Sequence, residues 1–354
     1  MEKRLLFRLS LIFVVIALVL AGCKSAQPAA TTAEAGYTSI IGSPARADQE
    51  YVWISNWSSL PLFVERVYPS LEAFARDFGV TVRKAGPTSD DLAAYITTVE
   101  TECSRQPAPA GVIVVGGWDQ SLQEPVNKCL TMKVPVVVTD GDLPNSNRLS
   151  YVGTNWYNLG VLMAKYQIKE HEARGWTKGK VAILTPLSYE NMMEAVQGIK
   201  DTLKDTPIEV LLEDSQADVT VTTQKMAAVL AANPDLTGVF GLDSQAPMGI
   251  VTALDEAGKG GKLIVTVNEA GLEFFNNINL GKVQLITIEK YDVMEYLALS
   301  MLYMWHNDAI RPAGLDPWTN NWMPKVIDSG LITVTKDNVD QIIKFYTEQQ
   351  AANK

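Results

Sequence analysis

The chain lacks the short motifs by which common nucleotide-binding folds and hydrolases are identified. No G-x-G-x-x-G follows the first predicted strand and no G-x-x-x-x-G-K-[ST] is present, so cradles for nucleotide phosphates are missing. A G-x-S-x-G nucleophile elbow is also absent. We therefore expect a protein that is not an enzyme and that binds no cofactor.

Histidine and net positive charge are scarce too. The two histidines, His171 and His306, lie near the ends of predicted helices and away from the strand ends, which argues against a metal site or a catalytic triad. The formal net charge is −10, and residues 1–22 carry three positive charges and one negative, so the rest of the chain has −10 − 2 = −12. This charge disfavours nucleic acid or an anionic membrane face as a partner.

Long apolar runs are missing except at the N-terminus. Lys3, Arg4 and Arg8 precede the run from Leu11 to Leu20, which is typical of a signal peptide and short for a membrane span. The run ends in Leu-Ala-Gly-Cys, which resembles the lipobox of bacterial lipoproteins. We expect cleavage after residue 22 and lipidation of Cys23. The alternative is an ordinary secretory peptide cut nearby, which would leave Cys23 as an odd free thiol.

The segment that follows, residues 24–49, is rich in Ala, Thr and Ser and has no sustained apolar period. It is predicted to be a flexible tether. Beyond it only Cys103 and Cys129 remain, each late in a predicted helix that leads into a neighbouring strand. Export would permit a disulfide between them, and two buried free thiols are the alternative.

From residue 50 onward, strands and helices alternate, which predicts an α/β fold with doubly wound parallel sheets. A first series runs from YVWIS at 51–55 to VPVVVTD at 134–140, with a helix predicted over 62–78. A second series begins after residue 155 and includes a predicted helix over 270–280. Two similar halves predict two lobes with a cleft between them, lobe one over 50–154 plus 290–322 and lobe two over 155–289 plus 323–354.

Polar and aromatic residues follow the strands of both halves, where open α/β sheets bind ligands. Carboxylates and amides bind vicinal hydroxyls, and a Trp face packs on the C–H face of a sugar ring. Each residue alone is equally consistent with a helix N-cap or a turn. The candidates from the strand ends are Asn56, Trp57, Trp118, Asp140, Asp243, Asn268, Glu289 and Lys290.

Four segments resemble the sugar-binding branch of the type I periplasmic binding proteins, over about residues 50–345. They are VPVVVTDGD at 134–142, YVGTNWYNLG at 151–160, GVFGLDSQAPMGIVTALDEAG at 238–258 and LITIEKYDVM at 285–294. The resemblance implies a two-lobe Venus-flytrap fold. By position, it implies that Asp140 bonds sugar hydroxyls, that Leu62 and Phe63 form an apolar wall, and that Asp243, Asn268 and Glu289 contribute from lobe two.

The sequence departs from that family at several positions. Gly141 stands where many members have Arg, Ala195 lies near the usual second Arg, Asn268 replaces Asp, and Glu289 or Lys290 replaces Gln. Trp57, Trp118 and Lys290 are candidates to fill a pocket with fewer arginines.

The resemblance implies a monomeric, extracytoplasmic protein, held to the membrane only by its lipid, that captures a monosaccharide or related polyol for an ABC permease. Two other classes stay open at this stage. One is a subunit that presents its ligand to a chemoreceptor or histidine kinase, and the other is a secreted glycoside-acting enzyme. The export signal excludes a DNA-binding repressor.

Overall fold

The computed structural model describes residues 46–117, 119–268, 272–309 and 315–352. The predicted signal peptide and lipidated Cys23 lie outside the described residues, as does most of the tether. The last residue of that tether, Gln49, is bonded to the globule, because its Nε2 donates to the side chain of Asn307 at 2.8 Å. No described helix is long and apolar enough to cross a bilayer.

The described chain forms twelve strands. They are β1 Glu50–Ile54, β2 Thr81–Ala85, β3 Gly111–Val115, β4 Val136–Asp140, β5 Ser150–Gly153, β6 Gly179–Thr185, β7 Ile208–Asp214, β8 Gly238–Gly241, β9 Ile264–Asn268, β10 Leu285–Glu289, β11 Val326–Asp328 and β12 Leu331–Val334.

Ten α-helices alternate with these strands. They are α1 Tyr68–Phe78, α2 Leu92–Ser104, α3 Gln123–Thr131, α4 Trp156–Ala173, α5 Glu190–Leu203, α6 Val219–Ala232, α7 Ala246–Glu256, α8 Asn276–Asn279, α9 Tyr291–His306 and α10 Val339–Ala352.

The strands form two six-stranded sheets, one in each lobe. Lobe one has the order β11-β5-β4-β3-β1-β2 with every pair parallel. Lobe two has the order β12-β10-β9-β8-β6-β7, and only β12 runs antiparallel. Helices cover both faces of each sheet and bury its apolar strands, as parallel sheets require. The predicted two-lobe α/β fold is confirmed.

The chain passes between the lobes three times, at 154–155, at Lys290 and at 329–330. The third passage differs from the expected boundary at 322–323. Strand β11 pairs with β5 over Val326–Asp328, so residues 323–328 belong to lobe one. The sequence did not show this because a three-residue strand whose first and last side chains are exposed has no apolar period.

Two predicted helices also differ from the structure. The helix expected over 62–78 begins as a π-helical turn, Phe63–Val67, and continues as α1. The helix expected over 270–280 is a 3₁₀ turn, Leu272–Phe275, followed by the four residues of α8.

Cys103 and Cys129 form a disulfide between α2 and α3, with Cα atoms 5.1 Å apart. Both side chains are buried beside β3 and β4. The bridge therefore joins two helices on the same face of the first sheet.

We predict that mass spectrometry of the non-reduced, alkylated protein will find Cys103 and Cys129 linked and unmodified, because both thiols are buried in one core. Alkylation of the reduced, unfolded protein is the positive control. Modification of both residues without prior reduction would contradict the bridge.

Candidate ligand-binding cleft

A cleft between the lobes collects residues from the carboxyl ends of strands in both sheets. Lobe one contributes the ends of β3 and β4, and lobe two contributes those of β8 and β9. The first turns of α4, α5 and α9 complete it. The lining residues are Trp57, Leu60, Leu62, Phe63, Gly116, Gly117, Asp140, Trp156, Tyr189, Asn191, Met192, Ala217, Leu242, Asp243, Ser244, Gln245, Asn268 and Tyr291.

Aromatic rings form much of the wall. Phe63 packs edge-on against Trp53 at 5.3 Å and against Tyr291 at 6.2 Å between ring centroids. Trp57 reaches the cleft from a left-handed backbone conformation, with φ of 53°. Leu62 and Phe63, the predicted apolar wall, line the cleft together with Trp57, which was a candidate from the end of the first strand. Flat apolar surfaces of this kind suit the C–H face of a sugar ring.

The backbone of Asp140 is held from three directions. Its φ of 65° lies in the left-handed region, which Asp tolerates better than most residues. Its carbonyl oxygen accepts from the Tyr151 hydroxyl at 2.5 Å and from Trp156 Nε1 at 3.2 Å. Its N–H donates to Met294 Sδ at 3.2 Å. These contacts fix the residue at the cleft, where its carboxylate is a candidate acceptor for ligand hydroxyls.

Gly141 has a steric reason to lack a side chain. A Cβ atom there would lie 2.1 Å from the Cα of Gly117, and one on Gly116 would lie 1.9 Å from the carbonyl oxygen of Gly141. The loop after β3 therefore packs directly on the loop after β4. An arginine cannot occupy position 141 in this backbone arrangement.

Glu295 lies beneath Asp140 in the core of lobe one and is 1% exposed. Its carboxyl accepts from Thr139 Oγ1 at 3.0 Å. Its pKa is raised to about 8, mainly by burial; the hydrogen bond from Thr139 lowers the pKa, and the charge of Asp140 raises it. The group is thus largely neutral at neutral pH.

Asp243 lines the cleft but also caps α7. One carboxylate oxygen accepts from the backbone N–H groups of Gln245 and Ala246 at 2.9 and 3.0 Å, and the other accepts from Ser215 Oγ at 2.9 Å. The residue is only 3% exposed, and burial raises its pKa. The sequence left a ligand contact and a helix cap equally open for this residue, and its contacts show the capping role. Losing such a cap costs about 0.5–2 kcal/mol.

Asn268 is held by a buried polar network. Its Nδ2 donates to Glu289 Oε1 at 3.1 Å and to the Leu242 carbonyl at 3.3 Å, and its Oδ1 accepts from Thr287 at 2.7 Å. Glu289 is 0% exposed and does not line the cleft. The structure therefore places Glu289 behind Asn268, where it orients the amide. This differs from the predicted direct contact.

Two other predicted residues are not part of the cleft lining. The side chain of Asn56 turns into lobe one, donating to Asp90 at 2.5 Å and accepting from the Asp91 N–H at 2.9 Å. Lys290 lies in the second passage between the lobes, close to Gly330. The short side chain of Asn56 is held by its bonds to the loop at Asp90 and Asp91. Lys290 immediately precedes α9. Trp118 lies outside the described residues.

The sequence interpretation missed several lining residues in the first turns of helices. Trp156 and Tyr291 are the first residues of α4 and α9, and Tyr189, Asn191 and Met192 surround the start of α5. Burial raises the pKa of Tyr189, and the charges of Asp90 and Asp243 add to that effect. The sequence contained enough information to predict Trp156 and Tyr291 as lining residues, since both lie inside segments that define the passages between the lobes.

Comparison with known proteins agrees with this architecture. Residues 51–306 match the family model described as periplasmic binding protein domain. A sugar ABC transporter sugar-binding protein from Bacillus halodurans is 26% identical, with a TM-score of 0.75 over 83% of this chain and 99% of that one. A search of curated proteins found no significant match.

Two further solved structures share the fold. An arabinose-binding protein from Geobacillus stearothermophilus is 24% identical, with a TM-score of 0.71 over 83% of this chain and 99% of that one. A solute-binding protein from Burkholderia graminis, solved with D-arabinose, is 24% identical, with a TM-score of 0.73 over 83% and 97%. Since the family model covers well over half of the chain, this protein belongs to the periplasmic binding proteins.

Proposed function

We propose that this protein captures a monosaccharide or related polyol outside the cytoplasm and delivers it to an ABC permease. The observation that carries the proposal is the cleft itself. Asp140 of lobe one and the partly exposed Ser244 of lobe two line it with hydrogen-bonding groups, between walls that include Trp57, Phe63 and Tyr291. Such a combination binds a ring that has hydroxyls at its edge and C–H groups on its faces.

The relation between the lobes supports a binding role. A Cβ atom on Gly117 of lobe one would lie 3.0 Å from Asn191 Nδ2 of lobe two, so the lobes approach closely at the cleft. Three chain passages form the hinge on which such lobes open and close. We propose that closure encloses the ligand and that the permease recognises the closed form. Capture without turnover agrees with the family, whose members are transport components and not enzymes.

The names of similar proteins narrow the ligand class. The Bacillus halodurans protein is described as sugar-binding, and the Burkholderia graminis protein was solved with D-arabinose. A sugar or polyol is therefore the first class to test. Thermal-shift screening against sugars, polyols and nucleosides is the direct experiment, because a ligand that binds the native state stabilises it by mass action. Stabilisation by nucleosides alone would overturn the proposed ligand class.

We further propose that the protein is a monomer held to the membrane by a lipid on Cys23. Replacing Cys23 by Ala is expected to release the protein from the membrane fraction, because the lipid is the proposed anchor and no described helix spans a bilayer. Immunoblots of soluble and membrane fractions measure the release, with the exposed Glu256→Gln as a control that leaves the lipobox intact. A Cys23 variant that stays as firmly in the membrane fraction as the wild type would mean that another anchor operates.

A further inference from the structure

A second cavity adjoins the cleft on the side of the first passage between lobes. This annex, as we call it, has a volume of about 300 Å³. It shares Gly117, Trp156 and Asn191 with the cleft, so a ligand in the cleft can extend into it. Its other lining residues include Asp142, Thr154, Glu190, Glu194 and Asp328.

The annex and the cleft are acidic and lack cationic lining. Among the described residues that line either cavity there is no lysine or arginine. Among the described acidic residues of the annex, Asp142 has a cationic partner, Arg148, which does not itself line the cavity. Arg148 donates to both carboxylate oxygens of Asp142, at 2.5 and 2.6 Å. No described lysine or arginine forms an ion pair with Glu190, Glu194 or Asp328.

The electrostatic effect of this arrangement is visible at Glu194. Partial burial raises the pKa of its carboxyl, and the charges of Asp142 and Glu190 raise it further. These carboxylates come from different lobes, because Asp142 follows β4 whereas Glu190 and Glu194 lie on α5. Closing the lobes therefore brings like charges together unless a cation lies between them.

A buried hydroxyl provides an independent sign of a ligand. Thr154 lines the annex and is 2% exposed, and its Oγ1 has no hydrogen-bond partner among the described residues. A buried polar group without a partner is costly. Groups of three or more possible metal ligands are absent from the described residues, which disfavours a bound metal ion as the partner.

From these observations we infer that the ligand is a sugar or polyol that carries a protonated amine, which lies in the annex. An ammonium group has three donors and no acceptor, and the annex offers carboxylate and hydroxyl acceptors. Charge-assisted hydrogen bonds of this kind are shorter and stronger than those between neutral groups. The inference rests on the proposed function and specifies its ligand class.

The test compares amino sugars with their hydroxyl counterparts at pH 6.5, using the full-length protein in mild detergent. Calorimetry with glucosamine and glucose, galactosamine and galactose, and mannosamine and mannose supplies three matched pairs. In at least one pair we expect the amino sugar to bind tenfold or more tightly than its counterpart. The advantage should shrink as salt is raised, because the added ions screen exposed carboxylates.

Variants of the annex residues test whether tighter binding of amino sugars depends on the annex. Glu190→Gln with Glu194→Gln should remove most of the amine preference and leave affinity for the neutral sugar within about twofold. Thr154→Val should reduce amino-sugar affinity alone. The control, Glu172→Gln with Glu256→Gln, removes two exposed carboxylates outside both cavities and should change neither.

The outcomes separate this inference from the proposed function. Binding of neutral sugars with no amine preference overturns the annex and leaves the proposed function standing. A preference that persists in the Glu190 and Glu194 double variant, or that is lost in the control, also overturns it. Failure of every sugar and polyol, neutral or amino, to bind overturns the proposed function itself.

Discussion

Replacing Glu295 by Gln is expected to make the protein more stable at pH 8–9 and to flatten the pH dependence of its stability. The carboxyl is 1% exposed, and its pKa is raised to about 8 from the usual 4.5. Between these values the folded protein holds a proton that the unfolded chain has released. The free energy of unfolding therefore falls as pH rises through this window and levels off above it.

The expected size of this effect is large. Each unit between the two pKa values corresponds to about 1.4 kcal/mol, so the wild type should lose on the order of 5 kcal/mol across the window. Gln stays neutral throughout and keeps an acceptor for the Thr139 hydroxyl. The neighbouring ionisable groups, Asp140 and Tyr95, are present in both proteins, so their contributions largely cancel in the comparison.

Urea denaturation at several pH values between 5 and 9 measures the difference. The exposed Glu256→Gln serves as the control and should follow the wild-type curve. Parallel curves for wild type and Glu295→Gln would show that Glu295 is not held neutral by burial. In that case its position beneath Asp140 would have no bearing on stability.

Replacing Asp140 by Ala is expected to lower affinity for the ligand found in the screen by roughly ten- to a hundredfold. Hydrogen bonds to a charged group contribute about 1.5–3 kcal/mol, and this carboxylate lies at the cleft. Ala is strained at a φ of 65°, so Asp140→Asn is the sharper variant, because Asn also tolerates the left-handed region. Calorimetry measures the affinity, and urea denaturation shows whether the fold is intact.

Asp243→Ala provides the comparison from the opposite lobe. Because Asp243 caps α7 and bonds to Ser215, its loss should lower the free energy of unfolding by about 0.5–2 kcal/mol. It should also lower the affinity for the ligand. Asp140→Asn should leave stability closer to that of the wild type. Near-wild-type affinity in both variants would mean that the two carboxylates are structural and that the site lies elsewhere.

Local patterns in the sequence were sufficient to predict the two-lobe fold and the general position of the cleft. Buried parallel strands such as β3 and β4 are continuous apolar runs, and the residues that follow them must lie at one edge of the sheet. Asp140 and Asn268 were found in this way. The resemblance to known binding proteins added Leu62 and Phe63, because it matched positions whose role no local pattern reveals.

The order of the predicted elements along the chain was enough to show that two α/β units exist, that most of their strands are parallel and that polar residues gather at the strand ends. Tertiary structure decided which of those residues face the cleft. Asn268 pairs with Thr287, so Glu289, two residues further along β10, points to the same face of the sheet and bonds to the Asn268 amide. Both residues end strands, yet only Asn268 is among the residues that line the cleft. The annex is also a tertiary feature, since Asp142 and Glu194 are distant in sequence and meet only where the lobes approach. A sequence pattern reports burial along one element, whereas a site between lobes depends on contacts that no single element determines.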